Sequence, residues 1–391
     1  MKAGPTLGQI LRGVVQEGCA LNLRLAPQQW KVVRALAACR TPALGGRLYY
    51  CPACQREHFV AHSCRNRHCP QCQGARALDW LAQQERVLLP IPYFHLVFTL
   101  PHELNGLIRQ NRRGMLNLLF RAASQTLLQF GRQRLGAQIG ITLVLHTWSQ
   151  NLLDHYHVHG IVSGGGLALK GSGWVPTTNH YLFPVRALSR MFRGKFLAGL
   201  KELYQEGRLE FHGPLQPVAS AAGFERLIRT AAKQDWVVYA KRPFAGPQPV
   251  LKYLSHYTHR VAISNRRLLA ADGRSVSFSY KDYADGARRK TMTLELGEFV
   301  RRFCLHVLPE GFVKIRHYGW LGNRGRQQRM ERVRQLLRVA AGPTPQPAPT
   351  PPASGSEPPG CCPFCGRPTL ILLGAVPPER PGKKPSVLDS S

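Results

Sequence analysis

The sequence predicts an α+β chain built on an antiparallel sheet, preceded by a cysteine-rich module and followed by a proline-rich, flexible tail. Three observations carry that reading. Helix-like and strand-like segments alternate along the middle of the chain without the strict rhythm of a parallel βαβ sheet, which favours an antiparallel core. Five of the 11 cysteines fall between Cys51 and Cys72, in a stretch too poor in large aliphatic residues to build a core of its own. The last 50 residues hold 14 of the 30 prolines, the composition of a polyproline-like tail.

The elements follow in order. Residues 1–50 read as mostly helical, with a helix at 28–39. A second helix at 75–89 is stopped by Pro90 and Pro92. The β-rich run 93–100 ends at Pro101. Apolar residues at helical spacing (Leu104, Leu107, Met115, Leu118, Leu119, Leu127, Leu128) make 103–135 helical. Strands are expected at 141–148 and 157–162, the second closed by Gly164-Gly165-Gly166. A basic helix follows at 185–206, then a strand at 236–240. Turns at Ala271-Asp272-Gly273 and Ala284-Asp285-Gly286 divide a strand-rich region into hairpin strands 274–283 and 289–296, and a helix closes it at 298–307. The division expected is 1–90 for the helical and cysteine-rich part, 91–335 for the core and 336–391 for the tail.

Charge narrows the function. Against 21 Asp and Glu stand 53 Lys and Arg, a formal net charge of +32. Residues 1–341 hold +31 of it, so the excess is not a floppy basic extension. Such a surface attracts polyanions, nucleic acid or anionic membrane, and argues against an enzyme for small neutral metabolites. No apolar stretch approaches the ~20 residues of a membrane span, and the N-terminus lacks the order of a signal peptide. The expectation is a cytoplasmic protein with no membrane partner, whose cysteines bind metal or stay free.

Cys51-Pro-Ala-Cys54 and Cys69-Pro-Gln-Cys72 form two C-x2-C knuckles with 14 residues between them. Two such knuckles place four thiolates, Cys51, Cys54, Cys69 and Cys72, around one structural Zn²⁺, and the metal then replaces the missing apolar core. Cys64, His58, His62 and His68 are left to substitute for a ligand or to help bind a second ion. Arg56, Arg65, Arg67 and Arg76 between and beside the knuckles suit contacts with phosphate. Cys361-Cys362-Pro363-Phe364-Cys365 resembles half a knuckle; zinc there would require dimerisation, or a ligand borrowed from Cys304 or a histidine.

Two further groups carry chemistry. In a strand over Asp154–Gly160, side chains alternate faces, so His155, His157 and His159 share one face. Two imidazoles at i, i+2 on a rigid strand, His157 and His159, can hold one divalent cation. A third ligand would come from His155, His146 or Gln150. Tyr253 and Tyr257, at i, i+4, share one face if the segment is helical. Lys252, His256, His259, Arg260, Arg266 and Arg267 surround them with positive charge.

Together these residues resemble the rolling-circle transposases of the insertion-sequence-ninety-one type, members of the HUH endonuclease superfamily. The resemblance rests on the cysteine module ending Ser63-Cys-Arg-Asn-Arg-His-Cys-Pro-Gln-Cys72, on His157-Val158-His159 followed by Gly164-Gly-Gly166, and on Tyr253-x3-Tyr257. It continues through Tyr280-Lys-Asp-Tyr283, Glu298-Phe-Val-Arg-Arg302 and Arg316-His-Tyr-Gly-Trp320, with Phe98-Thr-Leu-Pro101 resembling a first core strand. It covers about residues 10–335 and leaves the tail outside.

The resemblance implies a ferredoxin-like α+β nuclease core, with the histidine pair on its central sheet and the tyrosines on a neighbouring helix. It implies a transposase that cuts and rejoins single-stranded or hairpin DNA at transposon ends and target through a 5′-phosphotyrosine, with Tyr253 and Tyr257 as nucleophiles. Mg²⁺ or Mn²⁺ on His157 and His159 would be the catalytic ion. Arg65, Arg67, Lys252, Arg260, Arg266 and Arg267 are the expected DNA contacts. The same chemistry serves replication initiators and relaxases. A non-catalytic zinc-ribbon nucleic-acid binder would account for the charge and the cysteines, and would leave the histidines and tyrosines without a role.

Overall fold

A computed structural model describes residues 4–17, 22–85, 88–177, 182–244, 261–338 and 361–379. Its centre is an antiparallel sheet. The strands are β3 (Tyr93–Thr99), β4 (Ala137–Trp148), β5 (Asp154–Ala168), β6 (Trp174–Pro176), β7 (Val238–Phe244) and β11 (Ile315–Gly319), in the order β11-β4-β5-β3-β7 with β6 on β5. Between β3 and β4 run α4 (Asn105–Gln110) and α5 (Arg112–Phe130); between β5 and β7 run α6 (Val185–Gln205) and α7 (Ala221–Lys233). A βαββαβ chain with its last strand beside its first, and its third between first and second, has ferredoxin-like order. β11 extends that sheet at the β4 edge.

The helices cover one face. Strand alternation sends Phe94, Leu96 and Phe98 of β3, Ile141, Leu143 and Leu145 of β4, and Tyr156, Val158 and Val162 of β5 into one core with α5 and α6. The expected helix 103–135 is broken at Asn111, whose backbone leaves the helical region and whose Nδ2 donates to the carbonyls of Leu107 (3.2 Å) and Glu210 (2.9 Å). The opposite face carries the polar alternates. It is covered at one end by Trp320 and α9 (Arg326–Leu336), which pack on Tyr93 and Ile161.

Strand β5 runs well past its expected end. The three glycines sit inside the strand because neighbouring chain leaves no room for a side chain. A Cβ on Gly165 would lie 2.5 Å from the Trp174 ring, and one on Gly164 2.7 Å from the Pro92 carbonyl. The glycines are therefore a close-packing requirement of the sheet and not a break in it.

A second core joins distant parts of the chain. Helices α1 (Leu7–Glu17) and α2 (Pro27–Ala37) pack with the meander β8 (Leu268–Ala271), β9 (Ser275–Asp282) and β10 (Arg288–Glu295) and with α8 (Leu296–Cys304). The hairpin and its following helix stand within two or three residues of their expected positions. The packing crosses the expected division at residue 90, since Leu11, Val33 and Cys69 share this core with Phe278 and Phe299.

The tail brings a correction. Residues 361–379 do not trail away: β12 (Ile371–Val376) pairs antiparallel with β1 (Gly46–Cys51), which also pairs with β2 (Arg56–Ala61). Residues 339–360 lie outside the described residues. No helix among the described residues is long and apolar enough to cross a membrane.

Candidate functional site

The histidine group sits at the middle of the sheet, on the face opposite α5 and α6. Tyr156 and Val158 are fully buried in the helix-covered core, so His157 and His159 emerge on the other side of β5. On β4, His146 is the cross-strand partner of His157, and Val144 that of His159. Ring nitrogens of His146, His157 and His159 all lie within 4.8 Å of one another, and the three residues are buried. Of the three candidates for third ligand, His146 joins the pair. His155 is exposed, its ring centre 4.7 Å from that of His157.

The rings are held by their outer nitrogens. His157 Nδ1 is 2.8 Å from the carbonyl of His155; a carbonyl only accepts, so Nδ1 carries the proton and Nε2 is the acceptor. His157 Nε2 and His159 Nε2 are 3.1 Å apart. His159 Nδ1 meets His95 Nε2 at 3.1 Å, the two rings stacked, and Trp148 stacks on His146 with ring centres 4.6 Å apart. Burial, with Lys241 adding to it, pushes the His95 pKa down to about 4, so this ring is neutral. Sequence reasoning missed His95. The available signal was its place in the expected strand 93–100, one step out of phase with Phe94, Leu96 and Phe98. The donor set fits a divalent cation: three imidazoles converge, and outer contacts orient two of the rings.

The cysteines correct the expected zinc site. Cys51, Cys54, Cys69 and Cys72 do not meet. They are shared between two clusters, Cys39–Cys64–Cys69–Cys72 and Cys51–Cys54–Cys362–Cys365. The reason is the hairpin: Cys51 closes β1 at its turn, whereas Cys69 and Cys72 stand at the start of α3 (Pro70–Glu85), beyond the far end of β2. The gap between the knuckles is thus filled by a strand that carries them apart. In the first cluster Sγ–Sγ distances are 3.6 Å for Cys39–Cys72 and Cys39–Cys69 and 3.7 Å for Cys64–Cys72. A tetrahedron of thiolates at about 2.3 Å from Zn²⁺ has edges of about 3.8 Å, so this cluster fits the ion. His68 is no ligand; burial beside Arg67 pushes its pKa down to about 3, and its Nε2 accepts from the Leu308 amide at 3.4 Å. Cys304 is buried in the second core and belongs to neither cluster.

Comparison with known proteins agrees with both features. A family described as "Putative transposase" matches residues 140–329, which hold all three clustered histidines. Another, described as "Transposase zinc-binding domain", matches residues 11–100, which hold the whole first cysteine cluster. The "Transposase for insertion sequence element IS801" of Pseudomonas savastanoi pv. phaseolicola is 32% identical over 347 residues, 87% of this chain and 81% of its own length. "Putative transposase y4qJ" of Sinorhizobium fredii (strain NBRC 101917 / NGR234) is 44% identical over 338 residues, 86% of this chain and 85% of its own. The chain belongs to the IS91 family of insertion-sequence transposases. No solved structure matches it.

In this transposase the expected nucleophiles and DNA-binding residues part company. Tyr253, Tyr257, Lys252 and Arg260 lie outside the described residues. Arg65 and Arg266 are exposed. Arg67 and Arg267 turn inward, against expectation. Arg67 donates to the carbonyl of Phe312, and burial lowers its pKa. Arg267 donates to the carbonyls of Ser279 (2.8 Å) and Gln150 and lies over the Phe278 ring. Phe312 and Gln150 lie in loops and Ser279 in β9, and the local sequence does not distinguish such carbonyl contacts from a phosphate contact. A cavity of about 220 Å³ is lined among others by Thr99, Asp154, His155, Asp235 and Trp236, and by none of the three clustered histidines.

Proposed function

We propose that this transposase moves DNA by a rolling-circle route, cutting and rejoining one strand through a phosphotyrosine. The observation that carries the reading is the convergence of His146, His157 and His159 on the face of a ferredoxin-order sheet that α5 and α6 leave free. It is supported by Tyr253 and Tyr257, which follow the edge strand β7 in sequence by about ten residues. A divalent ion, Mg²⁺ or Mn²⁺, would be held by the three histidines and would supply positive charge to the scissile phosphate.

The chain's own groups do the rest. The His155 carbonyl and His95 hold two of the ligand rings, His157 and His159, in place, so these two need not reorient as substrate arrives. A phenol with pKa near ~10 is a poor nucleophile until its proton leaves. The oxygen of Tyr253 or Tyr257 attacks phosphorus, the bond from phosphorus to the 3′-oxygen breaks, and that oxygen leaves as a 3′-OH after taking a proton. The 5′-phosphotyrosine keeps the ester's energy, so a 3′-OH attacking it restores a phosphodiester without ATP. Two tyrosines permit two linked transfers, at donor end and target. The substrate is single-stranded or hairpin DNA, because one phosphate must bend into the site, and exposed cations such as Arg65 and Arg266 contribute to holding it.

The test uses a labelled single-stranded oligonucleotide from an element end, with Mn²⁺ or Mg²⁺. A covalent adduct should form with the wild type and vanish in a Tyr253→Phe/Tyr257→Phe variant. An undiminished adduct in that variant rejects the nucleophiles. Cleavage that persists in a His157→Ala/His159→Ala variant rejects the metal site.

A further inference from the structure

The second cysteine cluster lies across chain ends that neither matched family region joins. Cys51 and Cys54 fall within residues 11–100, and Cys362 and Cys365 lie beyond residue 329. We propose that these four thiolates form a second structural Zn²⁺ site, which clasps the C-terminal segment onto the N-terminal hairpin. The proposal is independent of the cleavage chemistry.

The geometry is that of a metal site. Cys51 Sγ and Cys365 Sγ are 3.7 Å apart, as are Cys54 Sγ and Cys362 Sγ. All four sulfurs lie within 4.8 Å of one another. Those spacings sit near the ~3.8 Å edge of a thiolate tetrahedron around Zn²⁺ and far from the ~2.05 Å of a disulfide. Each half is the same knuckle, Cys-Pro-x-Cys, turned by a residue in the left-handed region, Gln55 at φ +55° and Gly366 at φ +72°. In the C-terminal half the Gly366 amide donates to the Cys362 carbonyl and the Cys362 amide to the Arg367 carbonyl, both at 2.8 Å. The sheet delivers one half to the other: β12 pairs with β1 from Gly46 opposite Val376 to Tyr50 opposite Ile371, which leaves both knuckles at the same end.

Packing alone does not hold this segment. Of residues 361–379 only Cys362 is buried, and Ile371, Leu372 and Leu373 each remain about half exposed. A three-stranded sheet with so little apolar burial is marginal in water. Metal–thiolate bonds supply the missing folding energy, as in small zinc modules. Loss of this ion should therefore free the C-terminal strand while the first cluster, buried against the second core, keeps its own.

The experiment uses the full chain, purified under reducing conditions. Metal analysis should give two Zn per chain for the wild type and one for a Cys362→Ser/Cys365→Ser variant. One Zn in the wild type, or two in the variant, overturns the proposal. So would an unreduced wild-type mass lower by four hydrogens, the mark of two disulfides. A second arm keeps every cysteine: a protease site is inserted between residues 345 and 355 and cut. The C-terminal fragment should co-elute with the body in gel filtration and separate after a strong chelator is added. A fragment that leaves before chelation, or stays after it, overturns the clasp.

Discussion

His146 and His157 face each other as direct cross-strand partners at the centre of the sheet, one on β4 and one on β5. The relationship makes the third ligand a property of strand register, because a slip by one residue would turn His146 into the helix-covered core. His146→Ala should lower metal-dependent adduct formation by more than roughly 100-fold, comparable with loss of His157, while the urea midpoint stays near the wild-type value. The readout is labelled-oligonucleotide adduct across a Mn²⁺ titration. Full activity at saturating metal would remove His146 from the ligand set.

His95 touches His159 and not the ions' side of the group, so its role is positioning. His95→Phe keeps the stack with His159 and removes the hydrogen bond. Mn²⁺ affinity should fall about 10- to 100-fold, with cleavage recovering as Mn²⁺ is raised. His95→Gln, which can still hydrogen-bond, should lie between the two. Equal loss in both variants that no metal concentration restores would mean a packing defect instead.

How much of this was legible depends on whether a feature is local. Period-two alternation around Tyr156 and Val158 shows which side His157 and His159 take; β3 and α6 stand within one residue of their expected bounds, whereas β4 begins four residues before its own. The end of β5 was not legible, because what makes Gly164–Gly166 necessary is Pro92 and Trp174, which the sequence does not place beside them. The knuckles were legible one at a time. Their pairing was not, since Cys51 meets Cys365 through the β1–β12 register and Cys39 meets Cys72 through the second core. The same limit hid the inward turn of Arg67 and Arg267: partners far along the chain decide whether a cation binds phosphate or carbonyl.

Gly140 tests the packing behind the site. Its amide donates to Ser163 Oγ at 2.9 Å, which also accepts from Trp320 Nε1 at 3.2 Å. A Cβ there would stand 2.5 Å from the fully buried Trp320 ring. Gly140→Ala should destabilise the fold by about 1–3 kcal/mol. Gly194, exposed on α6 with nothing near its missing Cβ, is the control. Gly194→Ala should stabilise by roughly 0.5–1 kcal/mol through the unfolded chain's entropy. Both are read from urea denaturation. Equal effects at the two positions would contradict the close approach.

Arg266 and Arg267 are neighbours with opposite tasks. Arg267→Ala leaves the carbonyls of Ser279 and Gln150 without this donor and should cost about 1–3 kcal/mol of stability. Arg266→Ala should leave stability within about 0.5 kcal/mol, weaken single-strand binding and flatten its salt dependence by less than about one unit of slope. Thermal melts and fluorescence anisotropy at several salt concentrations separate the two. A salt-slope change in Arg267→Ala without a stability loss would reverse the assignment.

His306 predicts acid sensitivity. Its Nε2 is 3.1 Å from the Leu152 carbonyl and therefore donates, and its Nδ1, 3.2 Å from Thr147 Oγ1, accepts. Burial pushes its pKa down to about 4, with Arg112 acting the same way and Asp154 against it. The folded pKa lies below the ~6.5 of an unfolded histidine, so between these values the unfolded chain binds more protons. Its contribution is complete above about pH 6.5 and is lost as pH falls towards 4. By that shift it is about 3 kcal/mol at most. His68, His95 and His317 are lowered by burial as well, so some slope remains without His306. Urea midpoints measured from pH 7.5 to 5 should fall for the wild type. His306→Gln should start lower at pH 7.5 and decline less, so the two curves converge. Parallel curves would show that His306 stays uncharged in both states, or charged in both, and would reject this source of acid sensitivity.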